Sequence, residues 1–488
     1  MKIILLAILM VTLLLVSGCK VGPNFKTPAA PSTTGYTPAP LTQTSAANVT
    51  GGETQHFAQG LDISGNWWTL FHSQPLNELI QLSLTNNPDL RSAQAALVVA
   101  RENFMAGKGA YYPSVSAGFS AFRSKTSEQI APVPASNQLN YSLFTPEASV
   151  SYTLDVFGLN RRTVESLTAQ EQSARFQLAA AHISLTANVV LAAIQEASLR
   201  AQIDAIRELI AVNANLVQLV KQQFAKGLVT RLDVAAQESQ LAQTEAMLPP
   251  LLKQLAQQRD LLAALAGGFP DRDLPEKFEL SSLQLPSELP VSLPSQLVEQ
   301  RPDVLQAEEN LHVACAQVGV ATANRLPSIT LSADAGTMAL TAAKIFAGGS
   351  GFWDVGAGIT QPVFEGGTLL HQQRAARAAY QEASEQYRST VLNAFQNVAD
   401  TLNAIQQDAD TLNTTAIAAN DAKITLDLAR QKIRTGASSA LDLLNAEQAY
   451  QQTVINVVQA RANRYADTAA LFLALGGGWW HRTDLPEN

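Results

Sequence analysis

Hydrophobic and polar positions alternate in four short stretches of this chain. Val115, Ala117, Phe119 and Ala121 fall on one side with Ser114, Ser116 and Ser120 on the other, the period-two signature of a strand. Ala148, Val150, Tyr152 and Leu154 against Ser149, Ser151 and Thr153 repeat it, as do Ile329, Leu331, Ala333 and then Val355, Ala357, Ile359. The predicted strands cover about 113–123, 146–157, 327–336 and 352–364. Each is about ten residues long, the length of a tilted membrane-crossing strand. One face is apolar, whereas the other carries hydroxyls or glycine and suits a water-filled lumen. Four strands cannot close a barrel, and an open edge in lipid leaves backbone groups unpaired. Several chains must share one barrel; a dimer or a trimer would each give an even strand number, and the pattern does not choose.

Elsewhere the period changes to that of helices. Leu199, Ile203, Ile206, Ile210, Asn213, Val217, Val220 and Phe224 follow alternating steps of four and three, a coiled-coil seam. A second seam runs beside it through Ala205, Leu209, Val212, Leu216 and Leu219, so the helix has a neighbour on each side. Leu402, Ile405, Ala409, Leu412 and Ala416 give a seam further on. The helices predicted at about 161–226 and 369–435 reach roughly 100 Å each at about 1.5 Å per residue. Both stop at glycine-bearing turns, Lys226-Gly227-Leu228-Val229-Thr230 and Thr435-Gly436-Ala437-Ser438-Ser439, and return as helices over about 231–266 and 440–475. These turns form the end opposite the strands.

The scheme is written twice. Asn87-Pro88-Asp89-Leu90 recurs as Arg301-Pro302-Asp303-Val304, and Tyr112-Pro113-Ser114-Val115 as Leu326-Pro327-Ser328-Ile329, at one common offset. Residues 61–268 and 298–478 are therefore two copies of one unit, joined by a linker at 269–297 and followed by a tail at 479–488. A repeat this long is a duplicated half and not a solenoid period.

Composition narrows the setting. Lys2 and the apolar run from Ile3 to Val16 make a secretory signal, residues 1–18, too short to span a bilayer as a helix. Leu15-Val16-Ser17-Gly18-Cys19 resembles a bacterial lipobox, which implies N-acyl and S-diacylglycerol groups on Cys19. By the sorting rule for such lipoproteins, Lys20 in place of Asp implies the outer membrane. Residues 19–60 are rich in Pro, Thr, Ser, Ala and Gly, so they read as a tether or strap that cannot order itself through apolar burial. The second of the two cysteines, Cys315, reads as a small buried thiol. A net charge of −8 and sparse aromatics argue against a nucleic-acid partner. The six histidines lack metal-ligand spacing, and no phosphate loop or nucleophile elbow appears, so no enzyme, catalytic residue, metal or cofactor is expected.

Taken in order, Val21-Gly22-Pro23-Asn24-Phe25 with Pro28, Trp67-Trp68 with Phe71, Asn87-Pro88-Asp89-Leu90, Tyr112-Pro113, Leu154-Asp155-Val156-Phe157-Gly158 and Arg301-Pro302-Asp303 resemble the TolC-like outer-membrane factors of efflux and secretion systems, in their lipoprotein branch. The resemblance covers nearly the whole chain after Cys19. It implies a mainly α fold with transmembrane β: a homotrimer with a 12-stranded β-barrel continued by a periplasmic helical barrel. It also implies a passive exit duct for drugs or other small molecules, served by a periplasmic adaptor and an inner-membrane pump. The turns at Gly227, Arg231, Gly436 and Ser438 would meet the adaptor. In the family, acidic residues after the tip turns line a closed gate; Asp442 and Asn445 stand at those places here, and Asp233 at the equivalent place in the first half. Both aspartates also suit helix N-termini as caps. An aromatic and an arginine latch the tip in some members; Ile433 and Ser438 replace them here, with Arg231, Lys432 and Arg434 nearby. Export of proteins by a one-step secretion system, and a non-conducting structural spacer, remain alternative readings.

Overall fold

The computed structural model describes residues 20–33, 35–127, 129, 139–271, 274–434 and 440–482. In chain order these form β1 (His56–Gln59), α1 (Gln74–Asn86), α2 (Pro88–Lys108), β2 (Ser114–Lys125), β3 (Asn140–Leu154), α3 (Leu159–Ala225), α4 (Arg231–Ala246), α5 (Leu248–Leu265), β4 (Glu288–Val291), α6 (Pro294–Gln300), α7 (Pro302–Ala323), β5 (Ser328–Thr337), β6 (Gly351–Thr360), α8 (Thr368–Arg434) and α9 (Ala440–Ala474). The chain divides into two compact units. The first comprises residues 1–28, 97–173 and 307–387; the second comprises 29–96, 174–306 and 388–488.

The first unit holds a four-stranded antiparallel sheet in the order β2-β3-β5-β6. β2 and β3 extend past their expected bounds into the connecting segment, to Lys125 and from Asn140, because Arg123 opposite Ser142 and Ser124 opposite Tyr141 continue the ladder. β3 stops at Leu154, short of the expected 157. There Asp155 turns the chain: its carboxylate accepts the amides of Asn160 (2.9 Å) and Arg161 (3.0 Å), satisfying donors that the first turn of α3 leaves free.

The second unit contains the helical core. Ile203, Ile206, Asn213, Val217 and Val220 on α3 are buried, while the last seam position, Phe224, is 44% exposed. Asn213 is tolerated in the seam because its amide donates to Thr244 Oγ1 on α4 at 3.0 Å. The second seam is only partly closed, Leu209 and Leu216 being buried but Ala205, Val212 and Leu219 half-buried. One stretch of α3 is apolar enough to cross a membrane by composition, but 67% of it is buried within the protein, as a core helix is. The first return segment is two helices, not the single one expected at 231–266. It breaks at Met247, where Pro249 and Pro250 occupy the first turn of α5 and cannot donate to a continuing helical ladder.

The segment 42–59 is ordered, although it lacks the apolar surface to order itself. Trp67, Trp68, Phe71 and Phe472 form the adjoining core, Trp67 stacking on Phe472 at 5.1 Å. β1 pairs in parallel with β4. The decisive contacts are polar: Arg464 of α9, fully buried, donates to the carbonyl oxygens of Gly51 (3.1 Å) and Glu53, to Thr44 Oγ1 (3.1 Å) and to Gln55 Oε1 (3.4 Å). A guanidinium presents five donors in a fixed fork, enough to gather several carbonyls of a strap with few apolar side chains.

Candidate functional site: the strand sheet, the N-terminal clamp and the helical tips

Strand register decides whether four amphipathic strands make one amphipathic surface. Directly opposed residues share a face. Val115 faces Val150, Val150 faces Ala333 and Ala333 faces Val355. Leu154–Ile329–Ile359 and Tyr152–Leu331–Ala357 make further apolar rows. The other face carries Ser114–Ser151–Ser332–Gly356, Thr153–Thr330–Gly358 and Ser116–Ser149–Asp334–Asp354. The apolar face is left uncovered: Val115, Val355 and Ile359 are 71–74% exposed, and Phe119 and Trp353 stand out beside them. An apolar surface this continuous needs hydrocarbon or a partner against it. β2 and β6 each have one unpaired edge, which in lipid only another chain can satisfy.

Beside the sheet, in the same unit, the start of the chain is clamped. Arg162 of α3 is fully buried. It donates to the carbonyls of Val21 (2.9 Å) and Gly22 (3.1 Å), to Asn24 Oδ1 (3.0 Å) and to Glu165 (2.9 Å). Lys20 closes on Glu165 at 2.7 Å, and Phe25 stacks on His312 at 4.2 Å. Gly22 has φ +88°, and a Cβ there would lie 2.5 Å from the Cα of Gly319, so both glycines serve close backbone approach. Cys315 is buried against this segment, its thiol 3.7 Å from the Pro23 carbonyl. The Val-Gly-Pro-Asn-Phe motif is thus a ligand for α3 and α7. Neither Arg162 nor Arg464 falls in a sequence motif with an assigned role; Arg464 lies near Ala462, Tyr465 and Ala466, whereas Arg162 follows Arg161 in a polar stretch that gives no such signal.

In the second unit, Gly227 at φ +72° ends α3, its amide donating to Phe224 O and that of Leu228 to Gln223 O. Thr230 and Asp233 then form a reciprocal capping box: Thr230 Oγ1 accepts the Asp233 amide (3.3 Å), and Asp233 Oδ2 accepts the Thr230 amide (2.8 Å) and hydroxyl (2.7 Å). Those bonds from Thr230 hold the Asp233 carboxyl below its ordinary range. Arg231 is exposed, 3.8 Å from Glu238, which also pairs with Lys221 at 2.9 Å. On α9, Asp442 and Asn445 are exposed in the first two turns. Gly436 and Ser438 lie outside the described residues, as does Cys19.

An incomplete membrane sheet together with long coiled-coil helices, the first of them returning through the capped turn at Thr230, defines a channel-forming subunit. The family model for outer membrane efflux protein matches residues 79–268 and 293–477, one stretch for each half of the internal duplication. The chain belongs to that family. It is 29% identical over 486 residues to the toluene efflux pump outer membrane protein TtgC of Pseudomonas putida, covering 97% of this chain and 96% of the relative. It is 27% identical over 474 residues to the probable outer membrane lipoprotein SilC of Salmonella typhimurium, covering 96% and 97%. Among solved structures, the outer-membrane channel OprN superposes with a TM-score of 0.82 at 27% identity, covering 94% of this chain and all of that one. The open-state Neisseria gonorrhoeae MtrE outer membrane channel gives 0.79 at 25%, covering 96% and 100%. This chain is accordingly the outer-membrane channel component of a tripartite efflux system: a homotrimer that works with an adaptor and a pump, a conduit and not an enzyme. Three four-stranded sheets close into one barrel.

Proposed function

We propose that this channel is lipid-anchored at Cys19, carries small, largely apolar molecules, and is gated at its tips by a ring of Asp442 carboxylates. The anchor rests on the clamp. Arg162 fixes residues 21–24, and the Val21 amide donates to Phe157 O at 3.2 Å, three residues past the end of β3. A clamp this close to the end of a barrel strand supports an anchor of N-acyl and S-diacylglycerol chains on the preceding Cys19. The lipobox and the name of SilC support the same reading. The cargo class rests on relatives named for toluene and antibiotic efflux. Cys19→Ser should abolish acyl labelling while leaving a folded trimer in the outer membrane, because the closed barrel is itself an anchor. Persistent label, or loss of the protein from outer-membrane fractions, contradicts this.

For the gate, Asp233 forms a capping box with Thr230, and Asp442 is exposed in the first turn of α9 with Asn445 one turn on. Three Asp442 carboxylates converging on the axis would hold cations and repel anions. Asp442→Ala should weaken block by divalent cations in planar bilayers. A purely capping aspartate would instead cost about 0.5–2 kcal/mol of stability with block unchanged. The tip turns at Gly227 and Arg231, with their counterparts at Gly436 and Ser438, are the proposed adaptor contacts.

A further inference from the structure

Two turns into α9, Glu447 is 2% exposed, and neither of its carboxylate oxygens has a hydrogen-bond partner among the described residues. The stretch of α9 that carries it packs through Leu443 and Ala446 into a buried apolar cluster with Leu216 on α3 and Leu426 on α8, joined by Ile433 and Tyr450. From α4 the side-chain amide of Gln237 acts on it, but Gln237 Nε2 is itself buried without a completed hydrogen bond. The charge facing it is Arg430 of α8, which is partly exposed and lies 3.7 Å from Asp427. Of the other charged groups near the tip, Lys221 on α3 and Arg231 on α4 are exposed and pair with Glu238, Asp233 on α4 is held by Thr230, and Lys432 on α8 and Asp442 on α9 are exposed. The chain's own helices bury Glu447, so a neighbouring protomer has no access to supply a partner.

A carboxylate cannot remain ionised in such a place without a large desolvation penalty. It is either neutral in the packed arrangement, or ionised in one where α9 has moved away from α3, α4 and α8. We propose that Glu447 is a proton-operated lock on the tip helices, protonated when they are packed and ionised when α9 swings out, so that alkaline conditions favour the parted tip. This goes beyond the Asp442 gate and does not depend on it, since Glu447 faces the helical interior and Asp442 is exposed.

Burial pushes the Glu447 carboxyl up from 4.5 to about 7, with Arg430 and Gln237 pulling it partly back. The packed state therefore has the higher proton affinity. Its advantage is complete below the ordinary carboxyl range, declines as pH rises toward 7, and is lost above it. The span allows a change on the order of a hundredfold in the packed-to-parted ratio.

Hydrogen–deuterium exchange on the wild-type trimer, corrected for intrinsic rates, tests this between pH 5 and 8. Protection over residues 440–451 should fall by up to about a hundredfold, and Glu447→Gln should flatten that dependence. Asp408, on α8, is also raised to about 7 by burial and by Asp467 beside it. Asp408→Asn is therefore the control and should leave the dependence at 440–451 intact. A wild-type tip whose protection is constant or rises with pH overturns the proposal, whatever the variants do. So does a Glu447→Gln profile that matches wild type. Asp442→Ala retaining the pH dependence, with or without a changed cation block, keeps the two devices distinguishable.

Discussion

Replacing Arg464 with alanine should release the strap over residues 42–59 and lower stability by about 3–5 kcal/mol. The side chain is fully buried and is the shared donor for Gly51 O, Glu53 O, Thr44 Oγ1 and Gln55 Oε1. Without it the Gly51 and Glu53 carbonyls and Gln55 Oε1 lose their guanidinium donor, Thr44 Oγ1 keeping only the Gln55 amide, or the strap lifts off and takes β1 away from β4. The neighbouring Asp408 would also lose its cation. The effect should be local before it is global: limited proteolysis should cut within 42–59 well below the temperature at which the helices melt. Arg464→Lys should rescue little, because an ammonium keeps the charge but cannot fork across four separated acceptors. Full rescue by lysine would mean that charge, and not the pattern of donors, holds the strap.

That strap marks the boundary of what the sequence could tell. Strands, long helices and the Gly227 turn are local features, each encoded in a period or in a single residue whose conformation is special, so they can be read without knowing what lies opposite. The face assignment of the strands is legible for the same reason: a one-residue slip would put Val150 opposite serine, and the alternation forbids it. Composition alone says that 19–60 should not order itself, and on apolar burial it does not. Residues 21–24 and 44–55 are instead held by arginines more than a hundred residues away, a pairing that no local pattern records. Pro249-Pro250 mark the break at Met247 in the sequence, which the expectation of one return helix over 231–266 leaves out of account. Glu447 was visible only as one more polar residue after a tip turn, since its burial depends on four helices converging.

Val150→Arg should block assembly of the trimer in the outer membrane, and Ser151→Arg should not. Val150 lies where β3 is paired on both sides, in the row Val115–Val150–Ala333–Val355 on the uncovered apolar face. An arginine there meets hydrocarbon and costs about 2–4 kcal/mol per chain near mid-bilayer. Closing one barrel from three chains incurs that cost three times before any strand edge is satisfied. Ser151 is one residue on and belongs to the opposite row with Ser114, Ser332 and Gly356. Arginine there points into water, and three copies add positive charge to the lumen, so single-channel recordings should show a shift toward anion selectivity in a normally assembled protein. Heat-resistant trimer on a gel and outer-membrane fractionation read the first effect. Equal assembly defects in both variants would mean that the Ser151 face is packed against protein and not open to water, and the duct would have to be drawn on the other side of the sheet.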